Sequence, residues 1–308
     1  MRLFSKFTLF ATVCIYLVIF AGGLVRVTGA GLGCPDWPKC FGRWIPPTSI
    51  EQLPPEIDPA QFNITLAWIE YFNRLVGMIV GFLIAAIAVW SIVKFRKYKR
   101  IVWASIAAAV LVAFQGWHGS VVVASELDQS IVSVHYFLAL LIAAVMIFIY
   151  SQAHNFEHGD NSPAHIPKDI RWWGIGLFLL AFLQIFLGTE IRAIVEELAV
   201  TFPLLTSKER LTSVGLVNHL HLALGLTLTA AILTFGLRVR KDLTIMPGLL
   251  KTGAAGAAVL VLMQILLGMT FIVWELVPLV QLFHLCIASI ILGMTVLILS
   301  STFDLKEK

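Results

Sequence analysis

The sequence has 308 residues, of which 59% are hydrophobic and only 13% are charged, and its formal net charge is +4. These proportions, with a mean hydropathy of +0.89, exclude an ordinary soluble domain and indicate a chain that crosses a membrane several times. Because the basic residues cluster beside apolar stretches, the positive charge indicates membrane topology, and no nucleic-acid partner is expected.

Eight apolar stretches are each long enough to cross the hydrocarbon core of a bilayer, which takes roughly 20 residues. In chain order, we predict spans at residues 7–27, 69–93, 102–124, 130–151, 172–193, 213–237, 250–273 and 279–302. The first stretch is too long for a cleaved signal peptide and follows no transit-peptide pattern, so a bacterial plasma membrane is the simplest expectation. The predicted fold class is all-α integral membrane.

The segments between the spans alternate in charge. Residues 94–100, KFRKYKR, are strongly basic, and four more basic residues flank the segment after span six: Arg238, Arg240, Lys241 and Lys251. If the eight spans alternate in direction, these segments lie on the same side as both termini. By the positive-inside rule, we predict that both termini are cytoplasmic and that the loop 28–68 is external.

The external loop 28–68 contains Cys34 and Cys40, which bracket PDWPK. Disulfides persist on the oxidising side of a membrane, and five intervening residues allow the Cα separation that a disulfide needs. We predict a Cys34–Cys40 disulfide, with a free or redox-cycling dithiol as the alternative. The loop has no histidine or third cysteine that would complete a zinc site. Cys14 and Cys286 lie within spans, where we expect small packing residues.

The two halves of the chain carry similar motifs in the same order. Four pairs of motifs match: GGLVR (22–26) with GTEIR (188–192), NRLVG (73–77) with HLALG (221–225), QGWHG (115–119) with QILLG (264–268), and HYFLA (135–139) with HLCIA (284–288). We therefore predict two pseudo-symmetric four-helix bundles, residues 1–152 and 172–308. A cytoplasmic linker, residues 153–171, joins them, and its histidines are expected to be solvated: His154, His158 and His165.

Ionisable side chains within spans are costly and are therefore candidates for function. His221 and His284 lie near the external ends of spans six and eight, on alternate helices of the second bundle. His219 is two residues from His221 and must face elsewhere on the helix. We expect His221 and His284 to clamp the iron of a planar haem, with interhelical hydrogen bonding as the simpler alternative.

The first bundle differs from the second at one key position. His135 matches His284, but the counterpart of His221 is Asn73, and an amide is a poor iron ligand. A haem here would be held from one side by His135. His118, in span three, is a candidate replacement ligand. Glu70 lies one helical turn before Asn73 and would project near the haem, unless it forms an ion pair with Arg74 at i,i+4.

Arg26 and Arg192 lie at matching external ends of spans one and five. A guanidinium binds carboxylates well, so both are candidates for pairing with haem propionates. An equally fair interpretation is that each side chain extends to the membrane interface.

The motifs GGLVRVTGAGLGCPDWPKCFGRWIPP and WIEYFNRLVG, with the placed histidines, resemble the heme A synthase family over essentially the whole chain. The resemblance implies haem b between His221 and His284 and haem O as the substrate in the first bundle. It implies oxidation of a ring methyl of haem O to a formyl group, giving haem A for cytochrome oxidase. Glu70 would be the critical glutamate, and Cys34 with Cys40 the external cysteine pair.

The implied partners are a haem O synthase and the cytochrome oxidase assembly machinery, with the lipid bilayer around the chain; a homo-oligomer is a further option. Asn73 departs from the family, whose members commonly have histidine there. A second external cysteine pair, found in some members, is missing from 193–212. We expect a heme A synthase; the alternatives are a dihaem b-type membrane electron carrier and a non-catalytic haem O binding or delivery protein. A transporter is least favoured.

Overall fold

The computed structural model describes residues 1–157, 166–243, 246–274 and 276–303. These residues form α-helices, three single 3-10 turns and no β-strand. The helices are α1 (Arg2–Val27), α2 (Ile64–Lys94), α3 (Lys99–Ala124), α4 (Gln129–Glu157), α5 (Lys168–Thr201), α6 (Ser207–Ser213), α7 (Leu216–Lys241), α8 (Gly248–Val273) and α9 (Pro278–Ser300). The all-α prediction is confirmed.

All of these helices except α6 are long and apolar enough to cross a membrane, which confirms the eight predicted spans. Even α9, with 23 residues, reaches about 35 Å at about 1.5 Å per residue, more than the roughly 30 Å hydrocarbon core. Large apolar side chains remain exposed along the spans, such as Phe82, Trp103 and Trp172. Lipid covers such side chains in a multi-pass membrane protein, whereas water would penalise them.

Several helix ends differ from the predicted spans. α4 continues to Glu157 and α5 begins at Lys168, so part of the predicted linker 153–171 is helical. His154 is a half-buried α4 residue whose ring centroid lies 5.6 Å from that of Tyr150, so its prediction as a solvated loop residue was wrong. His158 and His165 lie outside the described residues.

The chain divides into two compact units, which we describe separately: an N-terminal unit, residues 6–146, and a C-terminal unit, residues 1–5 with 147–308. In the C-terminal unit, α5 and α8 each pack against both α7 and α9. The four helices therefore enclose a common interior, as in a four-helix bundle.

In the N-terminal unit, contacts join each helix to the next and also join α1 to α4. The rings of Phe7 on α1 and Trp90 on α2 have centroids 5.9 Å apart, and α2 packs against α3. α3 contacts α4 through Gln115 and the His135 backbone, and Arg26 of α1 reaches Gln129 of α4. The pseudo-symmetry of the two bundles stays a prediction.

The loop between α1 and α2 packs onto the first turns of α2. Cys34 and Cys40 form the predicted disulfide, with Cα atoms 4.6 Å apart. Both cysteines are buried in a small apolar cluster with Phe41 and Ala67. A β-carbon at Gly33 would lie 2.5 Å from the backbone carbonyl of residue 66, so only glycine permits this close approach of loop and helix.

Candidate functional site

In the C-terminal unit, His221 of α7 and His284 of α9 face one another. Their ring centroids are 6.5 Å apart and their planes are inclined by 48°. An imidazole nitrogen lies about 2 Å from a metal that it ligates. Two rings at this separation therefore have room for one metal ion between them.

Orphaned nitrogens and small neighbours show that this pair fits a haem. The Nδ1 atoms of His221 and His284 are buried and have no hydrogen-bond partner, which is uncommon for buried polar groups. A β-carbon at Gly188 of α5 would lie 3.3 Å from Cε1 of His221, and one at Gly268 of α8 would lie 3.5 Å from Cε1 of His284. Glycine at both positions therefore leaves space beside each ring.

Two glutamines hold the helices that carry these histidines. The Gln264 amide of α8 donates to the His284 carbonyl oxygen at 3.1 Å. The Gln184 amide of α5 donates to the His221 carbonyl oxygen at 3.1 Å, and its nitrogen lies 3.2 Å from Nε2 of the same histidine. Sequence reasoning matched Gln264 with Gln115 as a motif but gave it no role, and it overlooked the same Gln-x-x-x-Gly spacing at Gln184 and Gly188.

The N-terminal unit repeats one half of this arrangement around His135. The Gln115 amide of α3 donates to the His135 carbonyl oxygen at 2.9 Å. A β-carbon at Gly119 would lie 3.5 Å from Cε1 of His135. The glutamine, glycine and histidine thus have the same mutual contacts as Gln264, Gly268 and His284.

Asn73 occupies the place that His221 has in the other unit. Its Oδ1 atom is buried and has no hydrogen-bond partner, and it lies 4.0 Å from the β-carbon position of Gly22 on α1. Gly188 of α5 has the matching relation to His221. A glycine contact is therefore present in both units, with an amide in one and an imidazole in the other.

His118 lies beside His135, on the neighbouring helix. It is 8% exposed, and its ring meets that of His135 edge to edge, with the two Nδ1 atoms 3.4 Å apart, the centroids 5.6 Å apart and the planes inclined by 23°. Two nitrogens this close leave no space for an iron ion, which would lie about 2 Å from each of them. This position does not suit a ligand on the face opposite His135.

Glu70 is 4% exposed and fastens the disulfide loop to α2. Its carboxylate accepts a hydrogen bond from the Cys34 backbone N–H at 2.8 Å and forms an ion pair with Arg74. The Arg74 guanidinium in turn donates to the carbonyl oxygens of Cys34 at 3.0 Å, Asp36 at 2.7 Å and Lys39 at 2.9 Å. The i,i+4 pair is therefore present, and it forms a clamp on three backbone carbonyls.

Arg26 and Arg192 each reach a glutamine at the start of the fourth membrane-spanning helix of their unit. Arg26 donates to Oε1 of Gln129 at 2.7 Å, and Arg192 pairs with Glu196 and donates to Gln281. Pairing with propionates stays a prediction for both. His219 is exposed, with Nδ1 2.9 Å from the Gly215 carbonyl oxygen, and is not part of the His221–His284 pair.

Among the described residues, no three His, Cys, Asp or Glu side chains are close enough to hold a metal ion by themselves. Paired imidazoles suit haem, because the macrocycle supplies the four remaining nitrogens. The fold defines a multi-pass helical membrane protein, and its facing histidine pair has a geometry that suits haem.

The family model COX15-CtaA, cytochrome oxidase assembly protein, matches residues 5–296, and the chain belongs to this family. Similar proteins include the heme A synthases of Alkalihalophilus pseudofirmus (24% identical over 187 residues, 60% of this chain and 58% of that protein), Exiguobacterium sibiricum (26% over 196 residues, 62% and 60%) and Bartonella tribocorum (30% over 191 residues, 56% and 52%). Each alignment spans less than two thirds of the relative's own length.

Proposed function

We propose that this protein is a heme A synthase, a membrane oxidoreductase that oxidises a ring methyl of haem O to a formyl group through successive hydroxylations. Family membership and the names of the similar proteins support this function. The observation that carries it is the difference between the two units: one has a facing histidine pair, and the other has His135 with Asn73, whose buried Oδ1 atom has no hydrogen-bond partner. One unit is thus suited to electron transfer and the other to a substrate.

In the C-terminal unit, His221 and His284 would hold haem b, which would supply electron transfer. Their buried unpartnered nitrogens and the space left by Gly188 and Gly268 support this assignment. Gln184 and Gln264 orient the two histidine backbones, and Arg192 would pair with a propionate.

In the N-terminal unit, His135 would bind the iron of haem O from one side, and Arg26 would pair with a propionate. Asn73 would not supply a second strong ligand, so His135 would hold the substrate haem alone. Glu70 and Arg74 keep the disulfide loop closed on α2. We propose that this loop covers the external mouth of the substrate site and that Glu70 is the catalytic glutamate, acting near the reacting methyl.

We also propose a bacterial plasma membrane with both termini cytoplasmic. The basic segment 94–100 and the basic end of α7 support this topology, as does the Cys34–Cys40 disulfide in the opposite loop. A haem O synthase would deliver the substrate, and the cytochrome oxidase assembly machinery would take the product. A reporter that works only in the cytoplasm should be active when fused to Lys308, and a reporter that works only on the external side should be inactive there.

Asn73 favours one second candidate, a protein that binds and delivers haem O without oxidising it. Complementation of a bacterial strain without heme A synthase separates the two. We expect this chain to restore cytochrome a, and His135→Ala to abolish the restoration. The matched control is His219→Ala, which removes an exposed histidine and should complement fully. No restoration by the well-expressed wild-type chain would contradict the synthase proposal.

A further inference from the structure

We propose that His118 is a positioning residue that fixes the ring of His135 and presents its Nε2 atom to the substrate haem. This inference rests on the proposed function of His135 as the substrate-haem ligand. The observation behind it is the 3.4 Å separation between the two Nδ1 atoms, with the two rings edge to edge and their planes inclined by only 23°.

The contact has a consequence for the tautomer of His135. A neutral imidazole carries one N–H, and a nitrogen that ligates iron must be without a proton. If Nδ1 of His135 donates to Nδ1 of His118, Nε2 of His135 keeps its lone pair for the iron. His118 then carries its own proton on Nε2. Ligating histidines generally donate their second N–H to such a partner, which sets ring orientation and ligand basicity.

The surroundings of the pair leave this role to His118. Gln115 binds the backbone carbonyl of His135, so this bond does not hold its ring. Gly119 contributes only space beside Cε1. His118 itself is buried and packs against Phe114 and Trp117, with ring centroids 6.0 and 6.4 Å away. The partner of the His135 imidazole is thus held in place from its own helix.

The C-terminal unit lacks this contact. In the matched motifs QGWHG and QILLG, the counterpart of His118 is Leu267, and Nδ1 of His284 has no hydrogen-bond partner. His221 and His284 would hold their haem from two sides. With Asn73 opposite, His135 would bind alone, so its orientation depends more on a neighbouring group. The imidazole contact therefore occurs in the unit with the single ligand.

The test uses the purified full-length protein with the haems it carries, reduced with dithionite and studied by resonance Raman spectroscopy. A five-coordinate ferrous haem gives an iron–imidazole stretching band, whose frequency falls when the ligand loses its N–H acceptor. His118→Leu introduces the residue of the other unit, and His118→Gln retains an acceptor. We expect a lower frequency and about 10- to 100-fold weaker haem retention in His118→Leu. His118→Gln should keep most of the wild-type frequency.

Two controls make the result decisive. The bis-imidazole haem of the C-terminal unit should keep its spectrum in both variants, which reports an intact fold, and Leu267→Met should leave the band unchanged. An unchanged band in a folded His118→Leu protein would overturn the inference alone. Equal shifts in His118→Leu and His118→Gln would also overturn it, because an acceptor would then not matter. A wild-type protein without a five-coordinate ferrous haem would overturn both this inference and single ligation by His135.

Discussion

Single glycines determine how closely each histidine can approach the neighbouring helix. Gly119 and Gly268 have matching contacts with His135 and His284, and Gly22 and Gly188 have matching relations to Asn73 and His221. A larger residue at these positions would occupy the space beside the ligand atoms. The matching contacts in the two units therefore depend on the lack of a side chain at these glycines as much as on the histidines.

Gly188 and Gly176, both on α5, test whether the His221 site needs a glycine beside it. A β-carbon at Gly188 would lie 3.3 Å from His221, whereas one at Gly176 would meet no atom within 4 Å. We expect Gly188→Val to displace the His221 ring and to lower occupancy of the bis-imidazole haem about tenfold or more. Gly176→Val should bind haem like the wild type. Absorption spectroscopy of the purified proteins measures the haem occupancy of both variants. Equal occupancy in Gly188→Val and Gly176→Val would contradict the assignment of His221.

Glu70→Gln tests the clamp and the catalytic assignment together. The change removes the buried ion pair with Arg74, so we expect detachment of the loop from α2 to become easier by about 3 kcal/mol. Haem A formation should be lost while haem b remains bound in the other unit. Glu56→Gln, at an exposed loop position, is the control. Normal haem A production by Glu70→Gln would show that Glu70 has no essential role.

At the scale of the elements, three kinds of contact hold the loop between α1 and α2 in place: the disulfide, the Arg74 hydrogen bonds and the close approach of Gly33 to α2. Asp36 tightens its turn by accepting hydrogen bonds from the backbone N–H groups of Phe41 at 2.5 Å and Gly42 at 2.9 Å. The loop therefore behaves as a packed element of the N-terminal unit.

A Cys34→Ser/Cys40→Ser double variant separates a structural role of the disulfide from an electron-relay role. A disulfide closing so short a loop contributes about 2 kcal/mol, while the Arg74 clamp and the apolar cluster remain. We expect faster proteolysis within the loop and reduced, but measurable, haem A formation. Complete loss of activity with a protease-resistant loop would contradict the structural role and favour a relay.

The long elements and the disulfide could be predicted from the sequence because their signals are local. About twenty apolar residues indicate a span, and two closely spaced cysteines in a loop predicted to face the oxidising side favour a disulfide. α6 was missed because seven residues are too few for periodicity; its signal is the capping box between Thr206 and Glu209. The His118–His135 and Gln184–His221 contacts join different helices, and packing between helices is not encoded in any local pattern.

At the scale of the whole molecule, the two units carry two different sites. The C-terminal unit presents two imidazoles between α7 and α9, and the N-terminal unit presents His135, His118 and Asn73 on three helices. The difference would divide labour between an electron-transfer haem and a substrate haem. A dihaem electron carrier would need no such difference, and it would leave the clamped loop between α1 and α2 without a role.

Haem extraction from the purified protein tests this division most directly. The chain would be expressed with a haem O synthase in a host that lacks its own haem A pathway, and the extracted haems would be separated by chromatography and identified by mass. We predict haem b together with haem A or its hydroxymethyl precursor. Haem b with unreacted haem O, in a protein supplied with oxygen and membrane reductants, would contradict the synthase and favour delivery of haem O. Haem b alone would indicate an electron carrier.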